Sequence, residues 1–149
     1  MGSGGATKGV AHLGVLRAIE ELDLGVDIFV GASAGAIASA YFAQGYTADQ
    51  MVDWFRPFYR QRYPQSSMKT RFFFAPPNRE QLSSPGYLSS GLLSADRFER
   101  FLAETLPTND FRQLDKHVLV TATDIDGRGR VVFGRGYRDD VPISQAVAA

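Results

Sequence analysis

The rhythm of apolar and polar positions changes from helix to strand and back within the first 45 residues. From Lys8 to Leu22, Val10, Leu13, Leu16 and Ile19 recur with Ala11, Val15 and Ala18, and leave a narrow polar strip at Arg17, Glu20 and Glu21. An apolar face this wide predicts a helix buried against a sheet. Leu24-Gly25 ends it. Val26 to Val30 reads as a short strand, Gly31-Ala32-Ser33-Ala34-Gly35 turns the chain, and Ala36 to Ala43 reads as a helix of small residues stopped by Gly45. Loop, helix, strand, sharp turn and helix in succession predict an α/β domain with a mostly parallel sheet.

Thr47-Ala48-Asp49-Gln50 has the form of a capping box, a hydroxyl at the N-cap and an amide three residues on. The helix it opens carries Met51, Val52, Trp54, Phe55, Phe58 and Tyr59, with Pro57 ending or kinking it. Residues 60–93 read as irregular, with prolines at 64, 76, 77 and 85. A further helix starts at Ser94, with Asp96 in its first turn and a hydrophobic staple between Leu93 and Phe98. Phe98, Phe101, Leu102, Thr105 and Leu106 form its apolar stripe, and Pro107 lies beyond its end. Val118 to Thr123 reads as a buried strand, Asp126-Gly127-Arg128-Gly129 as a hairpin turn and Val131 to Phe133 as the return strand. Ile143 to Ala149 reads as a helix.

Composition narrows the function classes. With 149 residues, 44% of them hydrophobic and 21% charged, the chain suits one domain with a packed core rather than a disordered or fibrous segment. Lys plus Arg and Asp plus Glu are each 16, and a net charge of zero offers no general attraction for nucleic acid. Cysteine is absent, which excludes disulfides, thiolate-bound zinc and thiol catalysis. His12 and His117 are the only histidines, and their separation speaks against a shared two-histidine metal site; the reading reached below implies neither metal nor organic cofactor. There is no apolar run of about 18 residues to span a bilayer. No signal peptide is evident, so the expected location is cytoplasmic or peripheral to a membrane. The chain opens on a glycine loop with no strand before it and stops inside a helix pattern. The expectation is therefore a single domain over 1–149, cut at both ends.

Gly31-Ala32-Ser33-Ala34-Gly35 fits G-x-S-x-G with a strand running in and a helix running out. Only small residues fit around a serine on so tight a turn. The turn lifts the hydroxyl from the sheet edge and aims the next helix's N-terminus at it. A plain glycine-rich turn between strand and helix is the competing reading; the context favours Ser33 as a nucleophile. Gly4-Gly5-Ala6-Thr7-Lys8-Gly9 is the second element: small residues before a helix let backbone N–H groups converge on an anionic atom. A P-loop would place the lysine after the last glycine, and a dinucleotide fingerprint would need an acid where the Ser33 turn stands. A flexible terminus is the remaining alternative. In a parallel α/β unit both turns open at the same sheet edge, which suits an oxyanion hole for the tetrahedral intermediate of Ser33.

These stretches, with Val10-Ala11-His12-Leu13-Gly14-Val15-Leu16 between them, resemble the patatin-like phospholipases. That family carries a G-G-G-x-[KR]-G loop, an H-x-G-V-L helix and a G-x-S-x-G about two dozen residues on. Thr121 to Gly127 resembles its strand-and-hairpin segment, and Pro142 to Ala149 the stretch that leads to its aspartate. Ala6 replaces the third loop glycine. The resemblance implies a three-layer α/β/α fold related to the α/β-hydrolases. It also implies a lipid acyl hydrolase that uses a Ser–Asp dyad. Ser33 would be the nucleophile, and Gly4, Gly5, Ala6, Thr7, Lys8 and Gly9 the oxyanion loop, with Lys8 adding positive charge. Gly31, Ala32, Ala34 and Gly35 would form the nucleophile elbow. The dyad aspartate would lie beyond Ala149, since the D-G-[GA] motif is not among these residues. A non-catalytic lipid- or anion-binding module that kept the glycine loop is the alternative from a different class.

Three other features invite chemistry. Asp126-Gly127 is read as a hairpin turn rather than as the dyad, because Asp-Gly suits the backbone angles of such a turn. His12 is read as a packing or hydrogen-bonding residue rather than a base, and His117 as structural or solvated. From Arg56 to Arg79 the bases Arg56, Arg60, Arg62, Lys69, Arg71 and Arg79 alternate with six aromatic residues and no acid. This stretch is expected either to be a loop with solvated arginines or to form a lip against anionic lipid headgroups.

Overall fold

The computed structural model describes residues 1–5, 9–53, 95–124, 126–127 and 129–149. Helix α1 spans Val10–Glu21, strand β1 Ile28–Gly31 and helix α2 Ala34–Phe42. A helical stretch follows at 48–53. Helix α3 spans Asp96–Thr105, a 3₁₀ turn Phe111–Gln113, strands β2 and β3 His117–Asp124 and Gly129–Phe133, and helix α4 Ile143–Ala148.

The three strands lie in the order β1-β2-β3. β1 runs parallel to β2, with Gly31 opposite Val120, and β3 returns antiparallel from the hairpin. At the free edge of β1, Gly2 forms a parallel bridge to Gly31. The Gly2 N–H donates to Val30 O at 2.7 Å, and Ala32 N–H donates to Gly2 O at 3.0 Å. The chain before the glycine loop is therefore held against β1. Helices α2 and α4 pack on the sheet, α3 packs on α4, and α1 packs on α2. This is the α/β arrangement expected from the alternation of elements.

The core gathers Phe29, Tyr41, Met51, Leu102, Phe111, Val118, Val120 and Ile143. Small residues along α2 bring it close to the sheet: Gly35, Ala36, Ala38, Ser39 and Ala40 are all buried. The capping box at Thr47 is formed, with Thr47 N–H on Gln50 Oε1 at 2.9 Å and Gln50 N–H on Thr47 Oγ1 at 3.2 Å. Trp54, Phe55, Pro57, Phe58 and Tyr59 lie outside the described residues, as do the Leu93–Phe98 staple and the whole 56–79 stretch.

Helix α1 departs from expectation. Only Leu13 and Leu16 are buried, while Val10 and Val15 are 41% and 60% exposed. Among the described residues its main partner is α2 rather than a sheet face, so one stripe suffices. Its stop also differs. Leu24 N–H bonds Ile19 O and Asp23 N–H bonds Glu20 O, with Asp23 at φ 49°. Asp23 therefore takes the left-handed place that usually falls to glycine, ahead of Gly25.

Candidate active site

The strand-to-helix turn after β1 is built by exclusion of side chains. A Cβ on Gly31 would lie 2.5 Å from the N and Cα of Ala36, and a Cβ on Gly35 would run into the Gly2 carbonyl. Glycine at both positions lets α2 leave the sheet edge with no space between helix and strand. Gly35 N–H bonds Ala32 O at 3.0 Å, and Ala36 and Ile37 N–H groups both reach Ser33 O. Ser33 is thereby fixed at φ 51° and ψ −120°. Such a backbone is costly for a residue with a Cβ and persists only where its surroundings impose it. The Ser33 side chain is exposed at the N-cap of α2 and makes no capping bond there. Its hydroxyl stands at the carboxyl end of the parallel strands, where open α/β sheets bind their ligands.

Gly4 and Gly9, at the two ends of the glycine loop, both lie against this turn. A Cβ on Gly4 would lie 3.3 Å from Ser33 Cβ and 4.0 Å from Ser33 Oγ, and a Cβ on Gly9 would meet Ala34 Cβ at 2.6 Å. Gly4 thus sits against the serine, and Gly9 seats the start of α1 on the start of α2. Ala6, Thr7 and Lys8 lie outside the described residues. The expectation that the two glycine motifs meet at one sheet edge therefore matches the positions of Gly4 and Gly9.

The remaining candidates fall elsewhere. Asp126 is exposed in the hairpin turn, where its N–H donates to Asp124 Oδ1 at 3.0 Å and Gly127 follows at φ 80°. That geometry explains the Asp-Gly pair by backbone angles alone. His117 opens β2, and its N–H bonds Asp27 O at 2.8 Å. His12 bonds the glycine loop: its Nε2 lies 2.8 Å from Ser3 O. A groove lined by Phe42, Gln44, Tyr46, Thr108 and Lys116 lies at the amino ends of β1 and β2, at the far end of the sheet from Ser33. It is remote from Ser33.

One arrangement had no local signal. Asn109 caps α4 from 35 residues away, with its Oδ1 accepting Ser144 N–H at 2.7 Å, its Nδ2 donating to Ser144 Oγ at 2.9 Å and its carbonyl taking Ile143 N–H at 3.0 Å. Pro142 supplies no side-chain cap, and only a prediction of the α4–loop contact could have pointed to Asn109.

The chain is 30% identical over 110 residues to the "Uncharacterized protein YqhO" of Bacillus subtilis, covering 74% of this chain and 36% of that protein. It is 44% identical over 50 residues to an "Uncharacterized NTE family protein" of Mycobacterium tuberculosis, or 34% of this chain and 9% of that one. Over 43 residues it is 44% identical to "Lysophospholipase NTE1" of Saccharomyces cerevisiae, 29% of this chain and 3% of that protein. The chain thus spans about a third or less of the curated relatives it matches. In fold it is similar to the crystal structure of the type III effector protein ExoU, with a TM-score of 0.51 and 22% identity over 97% of this chain and 37% of that one. No helix among the described residues is long and apolar enough to cross a membrane. The sequence model of the patatin-like phospholipases matches residues 2–149, and the chain belongs to that family.

Proposed function

We propose that this chain carries the nucleophile and oxyanion loop of a serine lipid acyl hydrolase, of the phospholipase A or esterase type. The observation that carries the reading is the strained, exposed Ser33 at φ 51° with the backbone of Gly4 packed against it. A serine used only as a helix cap would bond the helix N–H groups through its side-chain oxygen, and Ser33 Oγ makes no such bond. Family membership and the likeness to a yeast lysophospholipase support a lipid ester as substrate.

In this reading Ser33 Oγ attacks the ester carbonyl carbon, and its proton passes to an aspartate outside residues 1–149. The carbonyl π electrons move onto oxygen, and backbone N–H groups of the Gly4–Gly9 loop hold that oxyanion, with the Lys8 charge nearby. Collapse of the intermediate expels the alcohol, which takes the proton back from the aspartate. Water then cleaves the acyl-serine by the same route in reverse. The reaction uses no cofactor. The basic, aromatic residues 56–79 would bring the site to an anionic lipid surface.

The test is hydrolysis of a short-chain ester and of a lysophospholipid by the full-length protein, beside its Ser33→Ala variant. Loss of the nucleophile should lower kcat by several orders of magnitude. Turnover that survives Ser33→Ala would remove the assignment. Lipid binding without turnover in the unaltered protein would instead support the binding-module alternative.

A further inference from the structure

His12 lies in the first turn of α1 and reaches back nine residues to the glycine loop, its Nε2 2.8 Å from Ser3 O. A carbonyl oxygen only accepts, so Nε2 carries the proton. Ser3, Gly4 and Gly5 are all exposed, and the backbone bonds to β1 end at Gly2. Among the described residues, the bond from His12 is the one that holds the loop beyond that point. The Ser3–Gly4 peptide is planar and trans, so its C=O and N–H point in opposite directions. Fixing the Ser3 carbonyl on the His12 side therefore fixes the Gly4 N–H on the other side. Gly4 itself packs against Ser33.

We propose that His12 is a positioning residue: by holding the Ser3 carbonyl it orients the Gly4 N–H as an oxyanion donor for the Ser33 reaction. This rests on the hydrolase reading above. His12 does not take the serine proton in this role; its Nε2–H is already given to Ser3 O. A glycine is free to rotate about its backbone, and without this anchor the Gly4 peptide would sample orientations that leave the oxyanion short of a donor.

The substituted side chains separate this role from simple packing. Gln carries an N–H donor at a reach similar to His Nε2, Asn carries one a bond shorter, and Leu fills the space without a donor. In the full-length protein, His12→Leu should lower kcat for a soluble short-chain ester by about 10- to 100-fold, less than the ~10²–10³ of deleting an oxyanion donor outright. KM should stay within about threefold, since the donor acts on the transition state rather than on ground-state binding. His12→Gln should recover most of the rate, and His12→Asn should not. The Gln and Asn variants carry the comparison on their own should His12→Leu fail to fold. Equal kcat in His12→Gln and His12→Asn, or an unchanged kcat in His12→Leu, overturns the proposal while Ser33-dependent turnover by the unaltered protein leaves the hydrolase reading standing. Absence of Ser33-dependent turnover in the unaltered protein removes both.

Discussion

Ser33 holds a backbone conformation that costs a non-glycine residue about 1–3 kcal/mol. The neighbours that impose it are glycines with no room for a methyl group, and the contrast among glycines gives a direct test. Gly35→Ala places a Cβ against the Gly2 carbonyl, so it should destabilise the domain by about 1–3 kcal/mol and disturb the elbow. A Cβ on Gly14, in the middle of α1, would have nothing within 4 Å of it. Gly14→Ala should therefore stabilise by about 0.5–1 kcal/mol through helix propensity. Urea unfolding of the two variants should move the midpoint in opposite directions; equal shifts would mean that the elbow is looser than its contacts imply. At this scale the sequence was most informative. A G-x-S-x-G motif states local backbone geometry, and that geometry is set by residues within a few positions of one another. The His12–Ser3 bond was not legible in the same way, because a histidine near a loop does not announce which carbonyl it meets.

Elements were legible where their signals are local and illegible where a partner supplies them. The capping box at Thr47 and the hairpin at Asp126 rest on neighbouring residues, and both formed as expected. The apolar periodicity of α1 shows which face can be buried, not whether a neighbour exists to bury it, and so it overstated the covered area. The cap of α4 depends on Asn109, distant in sequence. Asn109→Ala removes the acceptor for Ser144 N–H and leaves a buried helix end without its partner. It should cost about 1–2 kcal/mol. Asn109→Asp keeps an oxygen acceptor and adds a negative charge at a helix N-terminus, so it should cost clearly less. Thermal melting of both variants checks the order, and an Asp variant as weak as the Ala variant would contradict the cap.

At the scale of the whole molecule, the parallel pairing of β1 with β2 and the bridge from Gly2 gather the loop and the elbow at one end of the sheet. In the proposed function the groove at the other end takes no part in the chemistry. In the proposed function the basic residues between 56 and 79 would serve how the protein meets its substrate rather than how it cleaves it. If they form a lipid-facing lip, each contributes about 1 kcal/mol near an anionic surface. Neutralising Arg60, Arg62, Lys69 and Arg71 together should then weaken co-sedimentation with anionic vesicles by orders of magnitude and spare hydrolysis of a soluble ester. Raised salt should imitate the substitutions, because screening acts within roughly 10 Å at 0.1 M. Undiminished sedimentation of the quadruple variant would make the stretch an ordinary solvated loop.

The claim on which the rest depends is that Ser33 is the nucleophile. A fluorophosphonate reacts covalently with an activated serine hydroxyl, so its site of attachment reads the nucleophile directly. The full-length protein, labelled and digested, should carry the phosphonyl adduct on the peptide containing Ser33, and Ser33→Ala should carry none. An adduct on another residue, or labelling undiminished in Ser33→Ala, would contradict the account.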